Sequence, residues 1–298
     1  MDLYNLVVAK KLSGGGGGGS AKAVINAMID RTISGPYTNS DVTKVGPYAF
    51  AYCSNITEAH FPNVSIIGSN AFNSCSKLSV LDFPIATEIG SYAFSYTANP
   101  SLTSIAFPKV TSIASGAFIG CVFLQSVSFP EAITIGSTAF LTCSALTSVY
   151  FPKVESIYST AFSGASHLSS VDFPKAKSLG YAAFNSCSAL NTASFPEVTT
   201  IGSNAFSGCT SLTTASFPEV TTIGSYAFSG CSSLMSAYFL ASSMATLANV
   251  NAFTTTPMSN STYTGSFGSI YVPASLVDTY KAATKWSSYK NRITAYSE

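Results

Sequence analysis

Few side chains in this sequence could do chemistry, and they fall into three groups. The first is acid–base: of the two histidines, His60 stands two residues after Glu58 and 22 before Asp82, while His167 precedes Leu168 in a loop. If the His60 and Asp82 segments are neighbouring strands, the two side chains project from one face about 4.8 Å apart. Covalent catalysis by such a pair needs a nucleophile beside it. None accompanies it, so a surface ion pair is the leading reading, ahead of a ligand contact and then a metal or catalytic site. The second group is seven cysteines, Cys53, Cys75, Cys121, Cys143, Cys187, Cys209 and Cys231, which lack the paired CxxC spacing of a zinc site. The third is the glycine run Gly14 to Gly19. It satisfies a GxGxxG pattern trivially, but no second βαβ unit follows and Ser20 stands where a phosphate-binding loop needs Lys. A flexible linker is the preferred reading. The sequence therefore predicts no catalytic residue, no metal and no cofactor.

The elements that position these residues come from an internal repeat. Phe-Pro recurs at Phe61, Phe83, Phe107, Phe129, Phe151, Phe173, Phe195 and Phe217, in steps of 22 residues with a single step of 24. Ala-Phe recurs in constant phase between them, from Phe50 to Phe228. The longer step traces to Tyr96 to Ser101, where two extra residues and Pro100 lengthen one connection. Each unit opens LxxAxF or LxxVxF, an alternation that buries one face of a short strand, and Pro ends its pairing. VTxIG follows, too short for a helix and closed by Gly, and then SxAFSGC, which predicts a single helical turn. A 22-residue unit cannot bury its own Leu, Val, Ile and two Phe, but stacked copies put each residue type in a ladder along one core. The expected fold is an α/β repeat solenoid with one strand and one helical turn per unit. The cysteines share one column with Thr97 and Ala165, small and buried. Parallel stacking aims their Cβ vectors the same way, so reduced thiols are expected.

The pattern IGxxAFxxCxxLxxVxFP resembles the leucine-rich repeats of BspA-like bacterial surface proteins over about residues 46 to 240, in nine copies. The tail from Gly268 to Ile293 is similar to the strand and helix that close such arrays. The resemblance implies a right-handed, curved solenoid used in adhesion or host interaction, without catalytic activity. One departure is that Val64, Val110, Val154, Val198 and Val220 stand where most leucine-rich repeats carry Asn after the strand, so this turn must satisfy its backbone groups differently.

Only 9% of residues are charged and the net charge is +1. There is no basic field for nucleic acid and no apolar run of the roughly 18 residues a spanning helix needs. Neither nucleic-acid binding nor membrane insertion is expected. Ser, Thr, Asn and Tyr replace charge on the surface. Four regions follow: residues 1–20, a tether peptide with its glycine linker; 21–45, an N-terminal helix (Ala23 to Asp30) and cap; 46–240, the repeats; and 241–298, a C-terminal cap centred on Trp286 with Leu276, Val277 and Tyr280. No standard secretory signal is visible at Met1, so export, if any, is expected by another route.

Core columns barely vary, whereas the fifth strand position reads His60, Asp82, Ala106, Ser128, Tyr150, Asp172, Ser194, Ser216, Tyr238. Nine strands make this a strip about 40 Å long on the expected concave face. Either the strip is a recognition surface anchored by Tyr150 and Tyr238, or exposed positions simply drift. The expected function is a non-enzymatic adhesion solenoid on a bacterial surface or outside the cell, binding a protein or glycan. The alternative is a phage tail or fibre component docked through a partner for residues 1–12. Charges in other columns, such as Glu155 with Lys177, read as rim ion pairs between adjacent units.

Overall fold

The computed structural model describes residues 23–26, 28–259 and 267–297. The expected tether Met1 to Leu12 and the glycine linker lie outside the described residues.

The stacked units form a solenoid of parallel strands, and most units contribute two strands rather than one. The VTxIG segments pair along the whole array: Val42–Val45, Ile66–Ile67, Glu88–Ile89, Ser112–Ile113, Thr134–Ile135, Ser156–Ile157, Ser178–Leu179, Thr200–Ile201, Thr222–Ile223 and Thr246–Leu247, headed by Ala23–Ile25. These eleven form one sheet, here called the Ile-Gly sheet. Its strands are only two residues long in most units, and the bonds come from neighbouring units rather than from sequence-local partners. Ala23–Ile25 is a strand paired with Val42–Val45, not the expected start of a helix. An open end of the sheet offers it unpaired carbonyls and amides, and that tertiary pairing overrides local amphipathicity.

The expected strands before Phe-Pro also form, except before Phe173, and they fall in three separate sheets. The first holds Ser34–Thr38, Asn55–His60 and Val80–Asp82; the second Ser104–Ala106, Ser126–Ser128 and Ser148–Tyr150; the third Thr192–Ser194, Thr214–Ser216, Ser236–Tyr238, Ser269–Val272 and Ile293–Ala295. After each Phe-Pro the chain turns with an i to i−3 bond, as in Val198 N–H to the Phe195 carbonyl at 3.4 Å. That local bond replaces the missing Asn.

The Ala-Phe segments are consecutive turns, not helical turns. In one unit Asn70, Phe72 and Ser74 donate their amides to the carbonyls of Ser91, Ala93 and Ser95 of the next unit (2.9, 2.7 and 2.8 Å). The alternate amides of Ala71, Asn73 and Cys75 close i to i−3 bonds within the unit. An α-helix would have used all of these amides internally and left none for the neighbouring unit. Stacking therefore selects a third backbone ladder in place of helix. Its two left-handed positions fall four residues apart, at Asn70 and Ser74 in this unit.

Two columns of phenylalanine fill the core. In the Ala-Phe column, Phe50 through Phe228 and on to Phe253, successive rings lie parallel at 4.9–5.5 Å. Rings of the Phe-Pro column meet them at steep angles, as for Phe61 and Phe72 at 66°. Offset-parallel and edge contacts are the favoured aromatic geometries. Tyr37 closes one end against Phe50 at 4.9 Å. Trp286, 1% exposed, closes the other against Phe239 and Phe253, its indole N–H donating to the Ala245 carbonyl. Leu276 and Val277 pack against the same core, and the Tyr280 hydroxyl accepts from Ala245 N–H at 2.8 Å.

Candidate binding face

The fifth strand position projects outward in every unit because Ala59, Ala193, Ala215 and Ala237, one residue earlier, point into the core. Strand alternation fixes that direction, and the three sheets fix which occupants meet. Register sets His60 beside Asp82, Ser128 between Ala106 and Tyr150, and Ser194, Ser216 and Tyr238 in one row. Asp172 is exposed but lies outside any strand, between the second and third sheets. The expected single strip is thus three shorter rows.

His60 is held from two sides. Its Nε2 lies 2.8 Å from Glu58 Oε2 and its Nδ1 3.3 Å from Asp82 Oδ2. Hydrogen bonding to Glu58, then to Asp82, raises the imidazole above its usual range, favouring the charged ring. Glu58, on the same strand, is the closer partner. Among the described residues no group of three His, Cys, Asp or Glu side chains could hold a metal. His167 faces the Ser144 carbonyl instead, Nδ1 to O at 2.7 Å. The rim pairs form between adjacent units: Lys153 with Glu131, Lys175 with Glu197 and Lys177 with Glu155, at 2.7–2.8 Å.

The row's C-terminal end is aromatic in a way the repeat alone did not reveal. Tyr238 stacks on Tyr271 with centroids 4.6 Å apart and planes 10° apart, and Tyr296 meets Tyr238 edge-on at 5.9 Å. Ser269-Ile270-Tyr271-Val272 repeats the alternation of Ser236-Ala237-Tyr238-Phe239, and that phase was the available signal. Tyr296 had none, because it reaches the cluster only after the chain passes the Trp286 cap. Tyr150, 57% exposed, projects from the edge strand of the second sheet.

All seven thiols are free and buried. Their column is more than small: Cys75, Cys143, Cys187, Cys209 and Cys231 each direct the thiol at the Phe carbonyl of the preceding unit, for Phe50, Phe118, Phe162, Phe184 and Phe206 respectively, at 3.1–3.2 Å. Thr97 makes the equivalent contact with its own unit, Oγ1 donating to Phe94 O at 2.7 Å. Burial pushes Cys53 and Cys121 up to about 11, so neither is a thiolate nucleophile near neutral pH.

A family model for the BspA type leucine rich repeat region matches residues 43–169 and 155–274, in six copies. The chain belongs to the BspA-type leucine-rich repeat family. Among solved structures it is similar to the T. pallidum leucine-rich repeat protein, with 30% identity over 45% of this chain and 68% of that one and a TM-score of 0.44. A leucine rich cell surface protein from Faecalibacterium prausnitzii shares 21% identity over 84% of this chain and 86% of its own, at a TM-score of 0.39. The pneumococcal vaccine antigen PcpA shares 13% over 89% and 80%, at 0.43. No curated protein sequence matches the chain. Among the described residues no helix is long and apolar enough to cross a membrane.

Proposed function

We propose that this BspA-type repeat protein is a non-enzymatic binding module of a bacterial cell surface, recognising a protein or glycan through the outward row of its Phe-Pro strands. The observation that carries the reading is the Tyr238–Tyr271–Tyr296 cluster. It places aromatic surface on a face whose other occupants are the small Ser194 and Ser216. Rigid tyrosines among short hydroxyl side chains give contact area with little entropy loss, the composition of many recognition surfaces. The surface setting is supported by the F. prausnitzii neighbour, described as a cell surface protein. His60, Asp82, Ser128 and Asp172 then serve as polar contacts around the anchors Tyr150 and Tyr238.

The test is an array of purified glycans and extracellular-matrix proteins probed with the full chain, followed by titration of the best binder. Tyr150→Ala and Tyr238→Ala should each weaken binding by about 1–2 kcal/mol while secondary structure is retained. Undiminished affinity in the double variant would remove the strand row from the reading.

A further inference from the structure

A second face, formed by the Ala-Phe turns, differs from the strand row in charge and in side-chain type. Residues 46–54, 68–76, 90–98, 114–122, 136–144, 158–166, 180–188, 202–210 and 224–232 contain no Asp, Glu, Lys, Arg or His. Arg31, over the Tyr52 ring at 5.1 Å, stands at the N-terminal edge. In a chain with 27 charged residues, this segregation leaves a long neutral surface.

On it, large aromatics occupy backbone positions that disfavour them. The two left-handed columns hold Gly or Asn in several units, such as Asn70, Asn204, Gly120 and Gly208, and elsewhere small residues such as Ser74 and Thr142. Yet Tyr48 and Tyr52 share one unit, Tyr92 and Tyr96 another, and Tyr226 a third, all at φ between +56° and +64°. A bulky side chain in this region is strained by about 1 kcal/mol or more. Burial does not offset it, because Tyr92 remains 42% and Tyr96 55% exposed.

The rings of Tyr92 and Tyr96 lie along the solenoid axis over the next unit. They cover Gly116 and Gly120, where an added Cβ would run into them, at 2.5 Å from Tyr96 Cδ1 in the second case. Both glycines are themselves left-handed. The paired rings thus form a low platform that leaves aromatic surface to solvent, flanked by Ser and Thr hydroxyls. The Tyr48–Tyr52 pair stands two units before it, a distance of about two strand spacings, or about 10 Å.

We propose that this turn face is a binding site for an extended, uncharged polysaccharide. Weakly polarised C–H groups of a sugar ring suit the negative face of a tyrosine ring, and neutral hydroxyls suit Ser, Thr and Asn. The absence of charge disfavours acidic glycans and nucleic acids, which need cationic partners. Two tyrosine pairs set two units apart fit a chain that presents the same ring face at that interval. This site is distinct from the strand row and does not rest on it.

The experiment titrates the full chain with cellohexaose, xylohexaose and mannohexaose, with a hyaluronan hexasaccharide as the acidic comparison. Tyr92→Asn/Tyr96→Asn is the informative variant, because Asn70 and Asn204 show that Asn is accommodated at a left-handed position of these turns. The double variant should lose binding of a neutral hexasaccharide about tenfold or more, with a melting temperature equal to or above that of the parent. Tyr150→Ala/Tyr238→Ala should leave that affinity unchanged, which separates this site from the strand row. The proposal is overturned if no neutral hexasaccharide binds, if the acidic one binds best, or if the Asn variant binds as well as the parent. Concentration-dependent self-association in sedimentation that disappears in the Asn variant would instead assign the platform to a second copy of the chain, and would also overturn it.

Discussion

The two sides of the phenylalanine core are built from the same 22-residue unit, yet one is uniform and the other is interrupted. On the Ala-Phe side, ring spacing stays at 4.9–5.5 Å over ten rings, and the Ile-Gly sheet runs unbroken through eleven strands. On the Phe-Pro side, spacing widens to 6.1 Å between Phe83 and Phe107 and again between Phe173 and Phe195, where the sheets are separate, and to 6.5 Å between Phe217 and Phe239, at the start of the cap. The first gap contains the two-residue insertion. The uniform side is pinned by backbone: a Cβ at Gly202 would stand 2.5 Å from the Gly180 backbone. The approach is as close where a Cβ at Gly180 would face the Tyr158 backbone, at 2.6 Å, so at least one of two adjacent units lacks a side chain there. The Phe-Pro side has no such constraint, so it absorbs the irregularity and leaves exposed edges such as the Tyr150 strand.

The contrast can be broken first at the thiols, which all lie on the uniform side. Alkylation of the folded chain should be at least about a thousandfold slower than after unfolding, if that side opens only with the whole array. Rapid labelling without loss of structure would show that the uniform side opens by itself. Phe206→Ala should destabilise by ~3–5 kcal/mol in a denaturant titration, since rings stack on both its faces at 5.4–5.5 Å. Phe173→Ala, between gaps of 5.7 and 6.1 Å, should fall at the lower end of that range. Equal midpoints for parent and Phe206→Ala would refute the assigned register. Gly202→Ala should cost ~1–3 kcal/mol by forcing two units apart, whereas Ser207→Ala should be nearly neutral.

The smallest effect belongs to the interrupted side. His60 is raised in the folded state, so its contribution is fully present at and below the ordinary value of 6.5 and is lost as pH rises through the raised value. It also fades in acid as Glu58 and Asp82 protonate. A His60→Gln variant should therefore differ from the parent by less than about 1 kcal/mol near pH 6 and not at all in mild base. NMR titration of the His60 ring checks the direction; an unshifted ring would show that the two carboxylates do not hold it.

The buried columns were legible in the sequence, as were the Phe-Pro strands, the reduced thiols and the rim pair Glu155–Lys177, because each is a side-chain choice repeated at a fixed period. The outward direction of His60, Asp82, Ser128, Tyr150, Ser194, Ser216 and Tyr238 followed from alternation alone. The second sheet was not legible: two residues such as Thr200 and Ile201 carry no strand signature until neighbouring units supply their hydrogen-bond partners. Nor was the character of the Ala-Phe turns, since Ser-x-Ala-Phe is compatible with helix until the next unit competes for the amides of Phe72 and its equivalents.

What the sequence determined by itself was the repeat, its columns and the side chains those columns bury, since periodicity is a property of the chain read one unit at a time. Only the tertiary structure decided how the units bond to one another. It made a third backbone ladder where helix was expected, a strand of Ala23–Ile25, and a strand row in three pieces. It also brought Tyr271 and Tyr296 against Tyr238 and laid Tyr92 and Tyr96 over the glycines of the next unit. The physical reason is common to all of these: backbone amides and exposed rings take whichever partners the neighbouring unit or the cap presents, and that choice exists only once the units are stacked.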